Sequence, residues 1–230
     1  SLLELINNCF LGDNYSGVSL RGREVLEVLR SELRPLNEYI LNHPYVRNAE
    51  QRMLSMALIK EFVVNQLYIV PHDLRALAHT LSRASFRDEV EFFKVLVDGD
   101  YRAFKELIKL AEELGINVDR PPNPKPGAVT YTHYLSWLAL NGTLGDVAVA
   151  LVVNLPVWGS NTSRLAKALR ENYGIKSIGF LEAFRGPYDE LERMAYPIIE
   201  RYLDMDRYRL VSRMIQAYER MFWDSIYSGR

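Results

Sequence analysis

Glu219 is the residue of this sequence best placed to do chemistry. It stands in the segment Gln216-Ala217-Tyr218-Glu219-Arg220-Met221-Phe222-Trp223-Asp224. At helical spacing Val211, Ile215, Phe222 and Ile226 form one apolar stripe, with Tyr218 in the same arc. Glu219 falls at the edge of that stripe, with Trp223 on its other side. Arg209, Arg213 and Arg220 fall on the opposite face. A carboxylate there is solvated at a seam, held by a donor, or positioned to move protons.

Other polar residues interrupt apolar segments. Asn65 and Gln66 sit in Phe62-Val63-Val64-Asn65-Gln66-Leu67-Tyr68. Either both amides bond nearby backbone or water, or one of them lines a pocket and orients a ligand. Tyr131, His133, Tyr134 and Trp137 cluster further on. A tyrosine turned inward can donate to a substrate or hold a carboxylate; turned outward it only packs its ring. His133 reads as a surface or satisfied histidine rather than a base. Phosphate loops, Gly-x-Ser-x-Gly elbows, HExxH pairs and the Glu-x-x-His pairs of di-iron bundles are absent from the sequence. His43, His72, His79 and His133 are too dispersed for a zinc site, so neither a metal nor a cofactor is expected.

The elements that must carry these residues read as helices. Leu26, Leu29, Leu33, Leu36 and Ile40 share one face of a helix over about 20–41, with a kink expected at Pro35. Asn42-His43-Pro44 breaks it. A second helix is predicted over 48–70, kinked at Pro71 and continuing to about 84. Ser85 is the expected N-cap of a helix ending at Asp98-Gly99, and another runs over 101–114. A proline-rich linker from Asn117 to Gly127 follows. Further helices are expected over 128–141, 143–170, 177–204 and 206–228. The run Val147 to Val153 marks a buried helix, kinked at Pro156 just before Trp158. No alternating β pattern appears. The sequence predicts an all-α bundle of about seven to eight helices in one domain over 1–230, with 1–17 a loosely structured extension.

Composition bounds the function. The chain has 230 residues, 48% of them hydrophobic, enough for a core. Its net charge of −1, with basic and acidic residues interleaved, argues against nucleic acid as a partner. The longest apolar runs are too short to cross a bilayer, and the N-terminus carries no basic-then-apolar export signal, so no membrane role is expected. A single cysteine, Cys9, excludes an intramolecular disulfide and suits a cytoplasmic location.

Several motifs together resemble one family. Leu41-Asn42-His43-Pro44-Tyr45-Val46 is similar to the HPF turn of the TenA/Thi-4 (thiaminase II) family. Phe62 to Tyr68 resembles its F-x-x-Q-D-Y segment, and Tyr134–Gly142 with Leu155-Pro156-Val157-Trp158 resembles its paired central helices. Glu219 to Asp224 resembles its E-x-x-F-W-D. The order holds from about residue 20 to 228. The resemblance implies a haem-oxygenase-like helical bundle with a buried pocket, assembled as a dimer or tetramer. It also implies hydrolysis of thiamin or its aminopyrimidine breakdown products by a Cys nucleophile, an Asp that grips the pyrimidine and a Glu that moves protons.

Carried onto this sequence, the resemblance makes Glu219 the catalytic acid/base and Tyr134 its partner. Gln66, Asn65, Phe184, Phe222, Trp158 and Val157 become substrate-binding candidates. The departures are specific. Gln66 stands at the Asp position, Val157 stands at or beside the Cys position, and Phe184 replaces a pocket Tyr. Valine cannot supply a thiolate and glutamine cannot supply a charge. The resemblance therefore predicts a pocket for a small N-heterocyclic ligand without the Cys mechanism. Two alternatives are a non-catalytic binding or assembly protein, and an oxidase like those of the related PqqC branch. Histidines and basic residues suited to the latter are not evident around Tyr134 or Trp158.

Overall fold

The unbroken apolar run from Val147 to Val153 sets the architecture. All seven of its side chains are buried, so this helix has no solvent face and must be surrounded. The structure is a computed structural model and describes residues 21–228. Cys9 and the expected extension over 1–17 lie outside them. The described residues form nine α-helices and no strand. They are α1 (Gly22–Leu41), α2 (Pro44–Glu50), α3 (Met56–Ser82), α4 (Arg87–Glu113), α5 (Thr130–Asn141), α6 (Leu144–Tyr173), α7 (Gly179–Glu182), α8 (Asp189–Arg201) and α9 (Met205–Ser228). The apolar run lies in α6, which packs against α1, α2, α5, α7, α8 and α9. Helix α3 lies between α4 and α5 and reaches α9. None of the described helices is long and apolar enough to cross a membrane.

The all-α reading holds, and the boundaries that differ have physical reasons. The helices expected over 85–98 and 101–114 are one, α4, which runs through Gly99. A single mid-helix glycine costs only about 1 kcal/mol relative to alanine. Phe92, Phe93, Ala103 and Leu107, all buried, anchor both halves in the core. Phe86 rather than Ser85 occupies the N-cap. The Glu89 carboxylate takes over the capping role, accepting from the backbone N–H groups of Ser85 (3.0 Å) and Phe86 (3.2 Å). The single helix expected over 177–204 is two, α7 and α8, separated by a segment containing Gly186-Pro187. A residue before proline is driven out of helical geometry. The helix expected from 48 also divides. Pro44 opens α2 at its first turn, where no N–H is missed, and the Ser55 hydroxyl caps α3.

Helix α6 continues through Pro156. Proline has no N–H to give to the carbonyl four residues back. That carbonyl, on Val152, instead accepts from Arg30 Nη2 of α1 at 3.0 Å. The helix therefore stays intact where it presents Leu151, Asn154, Leu155 and Trp158 along one face.

Close approach also fixes the start of α6. A Cβ on Gly145 would lie 2.3 Å from the Tyr208 hydroxyl oxygen and 2.6 Å from Tyr202 Cβ. The Tyr208 hydroxyl is itself committed to the Ile199 carbonyl at 2.8 Å. Gly145→Ala is expected to destabilise the protein by about 1–3 kcal/mol through overpacking. The measurement is the urea midpoint, and an unchanged midpoint would show that α8 and α9 yield at this contact.

Candidate active site

The core divides into two apolar clusters. One gathers around Phe62, Trp223 and Phe180, the other around Leu26, Val149 and Tyr208. A cavity of about 320 Å³ lies where they meet, lined by Ile69, Val70, Ala103 and Phe222 of the first and by Leu77, Leu135 and Leu151 of the second. That volume suits a small ring-bearing molecule.

Glu219 lies on the buried face of α9 with Ile215, Gln216, Phe222 and Trp223, and is only 2% exposed. It sits inside the apolar face rather than at its edge. Both carboxylate oxygens are held by donors. Asn154 Nδ2 donates to Oε1 at 2.7 Å, and the Trp223 indole N–H, one turn along α9, donates to Oε2 at 3.0 Å. Burial nevertheless dominates, pushing the carboxyl from an ordinary 4.5 up to about 7, while these two bonds act in the opposite direction.

Asn154 organises the group. Its amide N–H₂ donates both to Glu219 and to Gln216 Oε1 (2.8 Å), and its Oδ1 accepts from the Tyr131 hydroxyl at 3.0 Å. Gln216 passes the chain on to Asn37 Oδ1 at 2.7 Å. Every polar atom of the Asn154 side chain is thereby used. An indole N–H and an amide N–H₂ can donate but not accept. Neither can therefore accept from a protonated Glu219, which lines the cavity.

The structure places the sequence-predicted residues unevenly. Gln66, Trp158, Phe184, Phe222 and Glu219 all line the cavity. The rings form one wall, with Trp158 5.5 Å from Phe222 and 6.0 Å from Phe184 between centroids. Gln66 is 3% exposed and its side-chain amide makes no hydrogen bond among the described residues. Asn65 points elsewhere, donating to the Glu61 carbonyl (2.7 Å) and accepting from Lys125 N (2.8 Å), so it ties the proline-rich linker to α3. Val157 is packed into the first apolar cluster and does not line the cavity. Tyr134 is not there either. Its ring stacks on Trp137 at 6.0 Å and leans on Tyr218 of α9 at 5.2 Å. Tyr131 and Leu135, one turn apart on α5, face the cavity instead. His133 bonds the Tyr68 hydroxyl at 2.9 Å and stays exposed. None of the described lining residues is a cysteine or histidine.

Three other lining residues were missed from sequence, Asn154, Asp73 and Asp100, and Tyr131 was noted only as one of a cluster. Asn154 carried a usable signal, a lone amide directly after the apolar run. Asp73 lies seven residues after Gln66, on the same face of α3.

The motifs noted in the sequence meet on the other side of α9. His43 Nδ1 accepts from Tyr45 N at 3.1 Å, so Nε2 carries the proton and donates to Asp224 Oδ1 at 2.8 Å. The Tyr39 hydroxyl donates to the same oxygen at 3.0 Å.

A family model described as TENA/THI-4/PQQC matches residues 30–229. The chain belongs to this family. Solved TenA-family structures share its fold. A TenA homologue from Pyrococcus furiosus is 22% identical, with a TM-score of 0.74 over 88% of this chain and all of that one. A putative TenA-like thiaminase from Sulfolobus solfataricus is 14% identical, with a TM-score of 0.69 over 89% of this chain and 96% of that one. Haem oxygenase-1 from Synechocystis, solved with haem, is 9% identical, with a TM-score of 0.65 over 89% of this chain and 91% of that one. This TenA-family chain therefore has the haem-oxygenase-like helical fold. Among curated proteins, none is detectably similar in sequence.

The Glu219 carboxyl makes stability depend on pH with a definite sign. Its folded pKa lies above the unfolded one, so the folded state holds the extra proton between about 4.5 and about 7. Its contribution is full below 4.5 and is lost as pH rises through 7. Glu219→Gln is expected to remove on the order of 3 kcal/mol of this pH-dependent loss. Unfolding free energies at pH 5 and pH 8 for both proteins give the two slopes, and parallel slopes would contradict an elevated pKa.

Proposed function

We propose that this TenA-family protein hydrolyses a carbon–nitrogen bond of an aminopyrimidine or related N-heterocycle, with Glu219 as general acid/base and water as the nucleophile. The observation that carries the reading is the setting of Glu219. Its two protein partners only donate, so neither can take its proton, and the carboxyl lines the cavity. A carboxyl near 7 is half-protonated at neutral pH, which suits it to both halves of a proton relay. The step balances without an oxidant. Water oxygen bonds to carbon and gives a proton to the carboxylate, the carbon–nitrogen bond breaks, and the carboxylic acid returns a proton to the departing nitrogen.

The surroundings support an aromatic ligand. Trp158, Phe184 and Phe222 offer ring faces and edges for stacking. The free amide of Gln66 can both donate to and accept from a ring nitrogen and its amino group. None of the described lining residues is a cysteine, and the proposed step uses water rather than a thiolate.

A second reading, a binding protein without catalysis, is favoured by one feature: both Glu219 oxygens are already bonded to protein, as in a fixed recognition group. Turnover separates the two. With a panel of aminopyrimidines that includes thiamin, Glu219→Gln is expected to lower kcat by about 10²–10⁴-fold. Tyr131→Phe is expected to lower it by about tenfold by freeing Asn154, whereas Tyr134→Phe stays within about twofold of wild type. Equal turnover by wild type and Glu219→Gln removes Glu219 from the mechanism. No turnover by wild type on any member leaves the binding reading.

A further inference from the structure

The same cavity holds two carboxyls for which the proposed proton relay has no use. Asp73 of α3 and Asp100 of α4 line it together. Asp73 accepts a hydrogen bond from the Thr132 hydroxyl at 2.6 Å. Asp100 Oδ2 is buried and has no partner among the described residues. The described rim arginines do not neutralise them. Arg102 lines the cavity without forming an ion pair among the described residues, and Arg185 is paired with Glu182 at 3.3 Å. Burial raises both carboxyls, and the charge on Asp73 adds to the rise at Asp100. The field of all three acids reaches Tyr131, whose hydroxyl is pushed up by Asp73, Glu219 and Asp100 after burial itself.

A buried oxygen without a partner costs about 1–3 kcal/mol, more when it is charged. A structural role does not explain this cost, because Asp100 bonds nothing through Oδ2. A metal does not explain it either. No group of three or more His, Cys, Asp or Glu among the described residues could hold one. A further observation points to a ligand. Gln66, two turns before Asp73 on the same face of α3, is almost fully buried, lines the cavity and spends its amide on nothing. Unused polar groups therefore converge on the cavity from one helix face and its neighbour.

Resting on the reading of this cavity as the ligand site, we infer that Asp73 and Asp100 form a cation subsite that receives a protonated amine on the same molecule whose ring lies against Trp158 and Phe184. An ammonium group offers N–H donors to Asp100, whose Oδ2 lacks one, and to Asp73, whose protein donor is the Thr132 hydroxyl. Its charge turns two mutually repelling carboxyls into two charge-assisted bonds. On binding, the pair gives up the proton it holds when empty, because the cation favours both ionised forms. The substrate class narrows from a neutral N-heterocycle to an aryl-methyl or aryl-ethyl amine that is charged at neutral pH.

Phenethylammonium and its neutral isostere 2-phenylethanol test this without knowledge of the natural ligand. Titration calorimetry at pH 7 is expected to show wild type binding the ammonium at least about tenfold more tightly than the alcohol. The Asp73→Asn/Asp100→Asn protein should bind the two within about twofold of each other, and Glu219→Gln should keep the wild-type preference. Asparagine preserves shape and leaves Oδ1 free to accept from Thr132. Should the double variant fail to fold, wild type in two buffers of different ionisation enthalpy gives an independent reading. Ammonium binding should release between about half a proton and one proton in both wild type and Glu219→Gln, and alcohol binding none. Equal affinity for the two ligands in wild type, a preference surviving in the double variant, or release lost in Glu219→Gln overturns the subsite. A preserved ammonium preference with turnover unaffected by Glu219→Gln leaves the subsite standing and overturns the catalytic reading alone.

Discussion

One buried carboxylate constrains the centre of the molecule. Removing a charge from water costs several kcal/mol unless donors replace the solvent. Glu219 has two, Asn154 and Trp223, from two different helices. Asn154 can serve only if its remaining atoms are satisfied, which brings in Gln216, Asn37 and Tyr131 from α9, α1 and α5. Four helices are thereby held in register around one acid. The network separates two apolar clusters that would otherwise merge, and the cavity occupies the space between them. Polar satisfaction and an unfilled volume are two sides of one arrangement: the helices cannot close on the gap without stripping partners from an amide or a carboxylate.

Much of this was legible in the sequence. The stripe of α9 located Glu219, the all-apolar run of α6 located the central helix, and interruptions such as Asn65-Gln66 marked where polarity enters the core. What was not legible depended on helical phase and on pairing across helices. Tyr131 and Tyr134 are equivalent by composition, yet a rotation of less than one turn sends one hydroxyl to Asn154 and the other ring to Trp137. Gly99 reads as a helix end, and only the buried residues on both sides explain why α4 passes through it. That misreading concealed Asp100, because a residue at a break is expected in solvent. Glu89 shows the reverse: a side chain three residues into the helix caps the residues before it, which a search for a capping Ser or Thr passes over.

The family relationship and the chemistry of the wall give different information. Membership rests on residues 30–229, and the fold rests on structures at most 22% identical. At such distances helix order and packing persist while wall residues exchange freely, because a cavity is the one part of a core where volume need not be conserved. Gln66 and Phe184 stand in the wall, and Val157 is packed in the apolar cluster instead.

The joining of His43 to Asp224 has a consequence for how α9 can move. Glu219 and Asp224 are five residues apart, about 140° around the helix. One is fastened inward to Asn154 of α6 and the other outward to the turn that opens α2. A helix gripped at two azimuths cannot roll about its own axis, although it remains free to bend or slide slightly along it. The angular aim of Glu219 is thus set by a clasp on the far surface of the helix, away from any ligand in the cavity. Ligands of different size can enter and leave while the acid keeps its bearing.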